Sequence, residues 1–212
     1  MRPFTVVRYD DAMSLALEKV VSDFAEALAA ADARRPAYTS RTGRQYQPGI
    51  GPHAEDRAVA LALQELRRTD ALTYKDAGQG LAYPGSRQKC DLWIGDPLEW
   101  VIEIKMARFF GDNGKPDDTA LKDVLSPYEV HRSALTDAVK LTSSALAGRK
   151  AILIYGFENP TEPGMPLEPA IAAFEVLARQ RVTLGIRHTA PLGSLVHPVH
   201  ARGFVYGWQV GD

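Results

Sequence analysis

The stretch KCDLWIGDPLEWVIEIKM, residues 89–106, decides how this chain is read. Side chains alternate faces along a β-strand. Over residues 100–106, Val101, Glu103 and Lys105 therefore share one face, and Trp100, Ile102, Ile104 and Met106 share the other. A Glu and a Lys two apart emerge from a strand otherwise composed for burial, and charged groups are rarely buried unless they are paired or bind a metal. That cost marks a site. Asp91 lies on the strand before, and a turn at Gly95 and Pro97 pairs the two strands antiparallel, which brings Asp91 toward the Glu103 and Lys105 end. Two carboxylates and the backbone carbonyl of Ile104 then form a set of hard oxygen ligands suited to Mg²⁺, with Mn²⁺ as its substitute. Lys105 is placed to orient or deprotonate a water and to offset charge on a phosphate. The bland alternative is an edge-strand ion pair serving solubility, with Asp91 capping a turn.

Working outward, residues 72–76 and 89–94 are expected to be strands that form a meander with 100–106, with turn signals at Gly78, Gly80, Pro84 and Gly85. Residues 12–31 carry Leu17, Val20, Val21, Phe24 and Leu28 at helical spacing, and a second helix opens at Gly51 and Pro52 with Val59, Ala62, Leu63 and Leu66 facing inward. Glu55 sits four residues before Val59, on that same inward face. Beyond a Gly, Asp and Lys-rich loop at 111–123, a helix over 127–146 precedes AILIYGF, residues 151–157, whose unbroken apolar run suits a central buried strand. A helix over 167–180 and closing strands over 182–188 and 203–210 complete the order. The expectation is an α/β fold, a central mixed sheet flanked by helices with an N-terminal helical extension, in one domain. Residues 1–50 hold the first helix and a basic loop, 51–157 the core, and 158–212 the last helix and strands.

Composition bounds the rest. The formal net charge is -1, so there is no global basic footprint, and one cysteine, Cys90, excludes an internal disulfide framework. No run approaches the ~20 apolar residues needed to cross a bilayer, and the chain reads as soluble, cytoplasmic and without a membrane partner. Local patches must make any contact with nucleic acid. Arg34, Arg35, Arg41 and Arg44 interleave with Tyr38 and Tyr46, types that pair with phosphates and stack on bases, though a solvated linker has the same composition. Arg87 and Lys89 flank the approach to Asp91 as phosphate contacts or as solvated turn residues.

Asp91, eleven intervening residues, then Glu103-Ile104-Lys105 resembles the signature of the PD-(D/E)XK nuclease superfamily, the restriction-endonuclease-like fold. The element order from the Glu55 helix through AILIYGF is similar to that superfamily's core, and Cys90 stands where its name would put proline. The resemblance covers 51–157. It implies that Asp91 and Glu103 ligate the divalent metal, that Lys105 serves the nucleophilic water, and that Glu55 adds an acidic group from the first core helix. It implies a nuclease cutting to leave a 3′-hydroxyl; DNA is the expected partner, and a homodimer or accessory protein partners are open, since the chain shows no separate recognition domain. A catalytically silent nucleic-acid-binding module, or an accessory subunit of a defence or repair complex, is the alternative.

On the later helix Ser133, Asp137, Lys140 and Ser144 share a face opposite Leu135, Val139 and Leu146. Ser133 and Lys140 are candidate phosphate contacts by the same resemblance, whereas Asp137 with Lys140 also reads as an ordinary surface pair. His131 is a candidate proton-transfer group. His188, His197 and His200 invite a zinc reading, but no acidic or cysteine companion lies near them in sequence, so they read as core or surface histidines. Phosphate loops of the Walker type, Gly-x-Ser-x-Gly elbows and His-Glu-x-x-His helices are absent from the sequence.

Overall fold

A computed structural model describes residues 14–117 and 119–211. Residues 1–13, which include the start of the helix expected from residue 12, lie outside the described residues, and residues 14–16 are not helical, so that helix begins at Leu17. Helix α1 (Leu17–Ala33) and helix α2 (Glu55–Thr69) come first, followed by a single helical turn, α3 (Ala71–Tyr74), and a two-residue strand β1 (Ala77–Gly78). Strands β2 (Leu92–Ile94) and β3 (Trp100–Arg108) form a hairpin. The chain then runs through α4 (Ala120–Leu125), a 3-10 turn at Glu129–His131, α5 (Ala134–Ser143), β4 (Arg149–Glu158), α6 (Glu168–Arg179), β5 (His188–Leu192) and β6 (Arg202–Gln209). The strands form one mixed six-stranded sheet in the order β1-β2-β3-β4-β6-β5. Only β3 and β4 run parallel, from Trp100 opposite Arg149 to Arg108 opposite Phe157. Such a pair needs a crossover, which α4 and α5 supply.

Both faces are covered, and β4 is accordingly apolar and buried over residues 151–157, as AILIYGF promised. On one face α1 and α2 pack Val21, Phe24, Leu28, Val59 and Leu63 against Trp100, Ile102, Ile104, Leu153 and Tyr155. On the other, α4, α5 and α6 pack Val124, Leu135, Leu141 and Phe174 against Val101, Ala107, Ile152, Ile154 and Trp208. The alternation read from residues 100–106 therefore holds. Helix α1 is one of the two layers that bury this face rather than an appendage to it: Val20, Val21, Phe24 and Leu28 are each at most 1% exposed.

Several expected elements change. Residues 72–76 are not a strand: Asp70 accepts hydrogen bonds from Thr73 N at 3.1 Å and Thr73 Oγ1 at 2.8 Å, a capping pattern that starts α3 and leaves Leu72 outside. Helix α2 begins at Glu55 rather than at Gly51, so Pro52 sits in the turn before it. The single helix expected over 127–146 is the 3-10 turn plus α5, interrupted at Arg132 in the left-handed region and restarted by Ser133, whose side chain accepts from Thr136 N. Residues 182–188 lie beside the sheet through Leu184 opposite Val210, but the regular strand begins at His188. Residues 111–123, read as loop, end in α4. No helix among the described residues is long and apolar enough to cross a membrane.

Candidate active site at the open end of β3

Strand β2 is short. Its three residues pair with Trp100, Val101 and Ile102, and beyond Ile102 the β2 side of β3 has no strand partner. The amides of β3 that face this opening are met by side chains. Asp91, the residue just before β2, accepts from Ile104 N through Oδ2 at 2.7 Å, and Glu55, the first residue of α2, accepts from Met106 N through Oε2 at 2.5 Å. Two carboxylates from elements far apart in sequence thus take the place that a strand would occupy. The N–H and C=O of one residue project to the same side of a strand, so the Ile104 carbonyl also faces this opening.

Glu103 and Lys105 project toward α5. Glu103 is 2% exposed, accepts a short hydrogen bond from the Tyr83 hydroxyl, and pairs with Lys140 Nζ at 2.9 Å. Asp91 lines the same cavity and is among the charges that raise the Glu103 carboxyl. Lys105 Nζ lies 3.3 Å from Glu55 Oε1 and 3.3 Å from Asp137 Oδ2, and Asp137 Oδ1 is 2.7 Å from Lys140. The result is a linked array running Glu55, Lys105, Asp137, Lys140, Glu103, with Asp91 held beside it on the Ile104 amide. It lines a cavity of about 850 Å³ whose rim carries Arg87, Lys89, Arg132 and Arg181.

Electrostatics follow from the crowding. Burial, then the nearby Asp91 and Asp137, push the Glu103 carboxyl up to about 8, and the Lys140 ammonium opposes this without overcoming it. Burial likewise raises Glu55 to about 7 against the pull of Lys105. For Lys105 burial alone would lower the amine, but Glu55, Asp137 and Asp91 outweigh it and hold the group above its ordinary value. Lys105 is therefore an ammonium ion at neutral pH in this arrangement, which suits orienting water and offsetting charge rather than taking a proton. Lys140 is held up in the same way by Glu103 and Asp137.

The structure sorts the residues singled out from sequence. Asp91, Glu103, Lys105, Glu55, Arg87, Lys89 and Lys140 all line the one cavity. Ser133 does not: it is fully buried, its hydroxyl donates to the Ser126 carbonyl at 2.5 Å, and its place as the cap of α5 corrects the expectation of a phosphate contact. Arg41 and Arg44 sit on a small hairpin closed by Thr39 opposite Gln45. There the Arg44 guanidinium lies 4.9 Å from the centre of the Tyr46 ring, beside a separate concavity that includes Asp112. His131 bonds Ser126 Oγ at 2.5 Å. Asp137, read as half of a surface pair, is 5% exposed and bridges both lysines. Tyr83, Arg132 and Arg181 were missed. Tyr83 had no signal beyond its place before Pro84 and Gly85, and the two arginines are gathered from distant segments.

No protein-family model, no curated protein and no solved structure matches this chain.

Proposed function

We propose that this chain is a divalent-metal-dependent nuclease of the restriction-endonuclease-like type, hydrolysing phosphodiester bonds in DNA. One observation carries the reading: Glu55, Asp91, Glu103 and Asp137 converge with Lys105 and Lys140 in one cavity, and their burial and crowding there raise Glu55 to about 7 and Glu103 to about 8. A divalent cation would relieve that crowding by favouring the ionised form of both carboxyls. Asp91 and Glu103, which line one cavity from adjacent positions on the hairpin, fit Mg²⁺, which takes one or two carboxylates and keeps its waters, and the Ile104 carbonyl faces the same opening. When bound, such an ion supplies a water of lowered pKa and a Lewis acid toward a phosphate oxygen.

The chain's own residues account for the rest. Tyr83 and Lys140 hold the Glu103 carboxylate in one orientation, so little reorganisation is needed when a ligand arrives. Asp91 is fixed by the Ile104 amide and Glu55 by the Met106 amide. Lys105, protonated and anchored between Glu55 and Asp137, can donate to the attacking water or to a non-bridging oxygen and offset the charge that builds there. Arg87, Lys89, Arg132 and Arg181 can pair with flanking phosphates, which supplies affinity without sequence preference.

The test is cleavage of plasmid and oligonucleotide DNA by purified protein with Mg²⁺ or Mn²⁺, with EDTA, Glu103→Gln and Lys105→Ala each expected to abolish it. Cleavage retained by both variants at unchanged folding would overturn the proposal. A catalytically silent binding module is favoured by one specific feature, the prior engagement of Glu103 by both Tyr83 and Lys140. It predicts salt-sensitive DNA binding that neither turns over nor responds to chelation.

A further inference from the structure

Among the described residues a second set of metal-type donors comes together away from the cavity at β3: Asp112, in the loop after β3, and His197 and His200, in the connection between β5 and β6. We propose that Asp112 Oδ1, His197 Nε2 and His200 Nε2 form a transition-metal site of the zinc class, separate from the carboxylate-rich site.

The three residues bring one donor atom each to spacings near those found around a single small ion, with the two imidazole rings stacked at 23° and 4.6 Å between centres. His200 Nε2 lies 3.2 Å from Asp112 Oδ1, His197 Nε2 lies 3.8 Å from it, and all three donor atoms fall within 4.8 Å of one another. With metal–ligand bonds of about 2.0–2.2 Å, tetrahedral donors stand roughly 3.4 Å apart, so the set closes when the donors draw inward and the two stacked rings turn until their nitrogens face one point. The site is also built. His197 is 0% and His200 2% exposed, and His197 Nε2 is a buried nitrogen with no hydrogen-bond partner. Buried polar atoms are normally satisfied, so an orphan aimed at a carboxylate and a second imidazole needs a reason.

Neighbouring residues hold the turns in place. Asp32 accepts from Ile50 N at 2.7 Å and from Val196 N at 2.5 Å, which ties the loop around residue 50 to the histidine segment. Gly51 leaves room for the ring, since a Cβ there would stand 2.5 Å from His200 Cδ2. Two imidazoles and one carboxylate suit zinc-class ions, whereas Mg²⁺ and Ca²⁺ favour oxygen-only sets. Asp112 also borders the concavity of about 400 Å³ beside Arg44 and Tyr46, which has room for a water as the fourth ligand.

Proton placement makes the proposal specific. In the empty site His197 Nδ1 accepts from Val199 N at 3.2 Å and His200 N at 3.3 Å, which leaves the ring proton on Nε2. Ligation requires a bare Nε2 and a proton on Nδ1. Binding therefore exchanges two long amide bonds for one metal–nitrogen bond, and the Val199 and His200 amides must move.

The experiment uses full-length, tag-free protein carrying Asp91→Asn and Glu103→Gln, which disables the carboxylate site and so separates this proposal from the nuclease reading. Zn²⁺ is titrated by calorimetry in excess Mg²⁺, and Co²⁺ is followed by absorption and by amide NMR. One equivalent of Zn²⁺ should bind, with affinity reduced about a hundredfold or more when Asp112→Asn or His200→Gln is added. Co²⁺ should selectively broaden or shift the Val199 and His200 amides, a readout that needs no further variant. Unchanged Zn²⁺ affinity in both added variants, or Co²⁺ effects confined to other histidines, would overturn the site.

Discussion

Two halves of one strand behave differently. From Trp100 to Ile102, β3 is hydrogen-bonded to β2 on one side and β4 on the other, and all three residues are 0% exposed and apolar. From Glu103 to Met106 the β4 pairing continues, but β2 is gone, and the amides on that side are met by Asp91 and Glu55. The first half shows what ordinary sheet burial does: every backbone group is paired by another strand and every side chain is packed. The second half shows how a sheet makes a site. Ending one neighbour early exposes backbone donors, carboxylates from other elements satisfy them, and acidic groups are thereby held close in a poorly hydrated place.

The comparison can be broken at several points. The largest effect is expected in the open half: Glu103→Gln should lower DNA cleavage by about a thousandfold or more, a loss of roughly 4 kcal/mol in transition-state stabilisation, with the fold intact by circular dichroism. In the paired half, Ile102→Ala should act on the fold instead, lowering unfolding free energy by about 2–5 kcal/mol in urea titrations. Should Ile102→Ala leave stability unchanged, or Glu103→Gln unfold the chain, the contrast between the halves fails.

A weaker but more diagnostic effect concerns pH. Glu103 and Glu55 have folded values of about 8 and about 7 against an ordinary 4.5, so between these limits the folded state binds more protons than the unfolded one. Stability is then fully present below pH 4.5 and is lost as pH rises toward 8. In EDTA the melting temperature should fall as pH is raised from 5 to 8, and either Mg²⁺ or Glu103→Gln should flatten the slope. A slope of opposite sign would mean that the carboxyls are not held proton-rich. Asp137→Asn should reduce cleavage about ten- to a hundredfold by freeing Lys105 and Lys140, a magnitude typical of groups that orient reacting ones. The smallest effect belongs to Arg41→Ala and Arg44→Ala, which lie outside the cavity and should change cleavage by less than about threefold at low salt, with salt-dependent binding measured beside it.

Much of the architecture was legible because it is local. The apolar run at residues 151–157 and the helical spacing of Val20, Phe24 and Leu28 follow from periodicity. The Glu103 and Lys105 face follows from strand alternation. Where local signals competed, the reading failed. Residues 72–76 have strand-like composition, but Asp70 caps a helical turn there, and Ser133 on a polar stripe is a buried cap because the Ser126 carbonyl needs a donor. The histidines were read without a carboxylate because Asp112 is distant in sequence from His197 and His200, and only the fold sets them 3.2–3.8 Å apart.

The sequence alone determined that a sheet strand would carry Glu103 and Lys105 on one face with Asp91 near it, because alternation and a short turn are properties of adjacent residues, although the strand expected over 89–94 begins only at Leu92 and leaves Asp91 just outside it. Tertiary structure decided the rest. It stopped β2 after three residues, swung the first turn of α2 over Met106, and turned Asp137 from a solvated helix position into the bridge between two half-buried lysines. The physical reason is range: alternation and capping act over a few residues of chain. Which carboxylates share one poorly hydrated cavity depends on where separate elements pack.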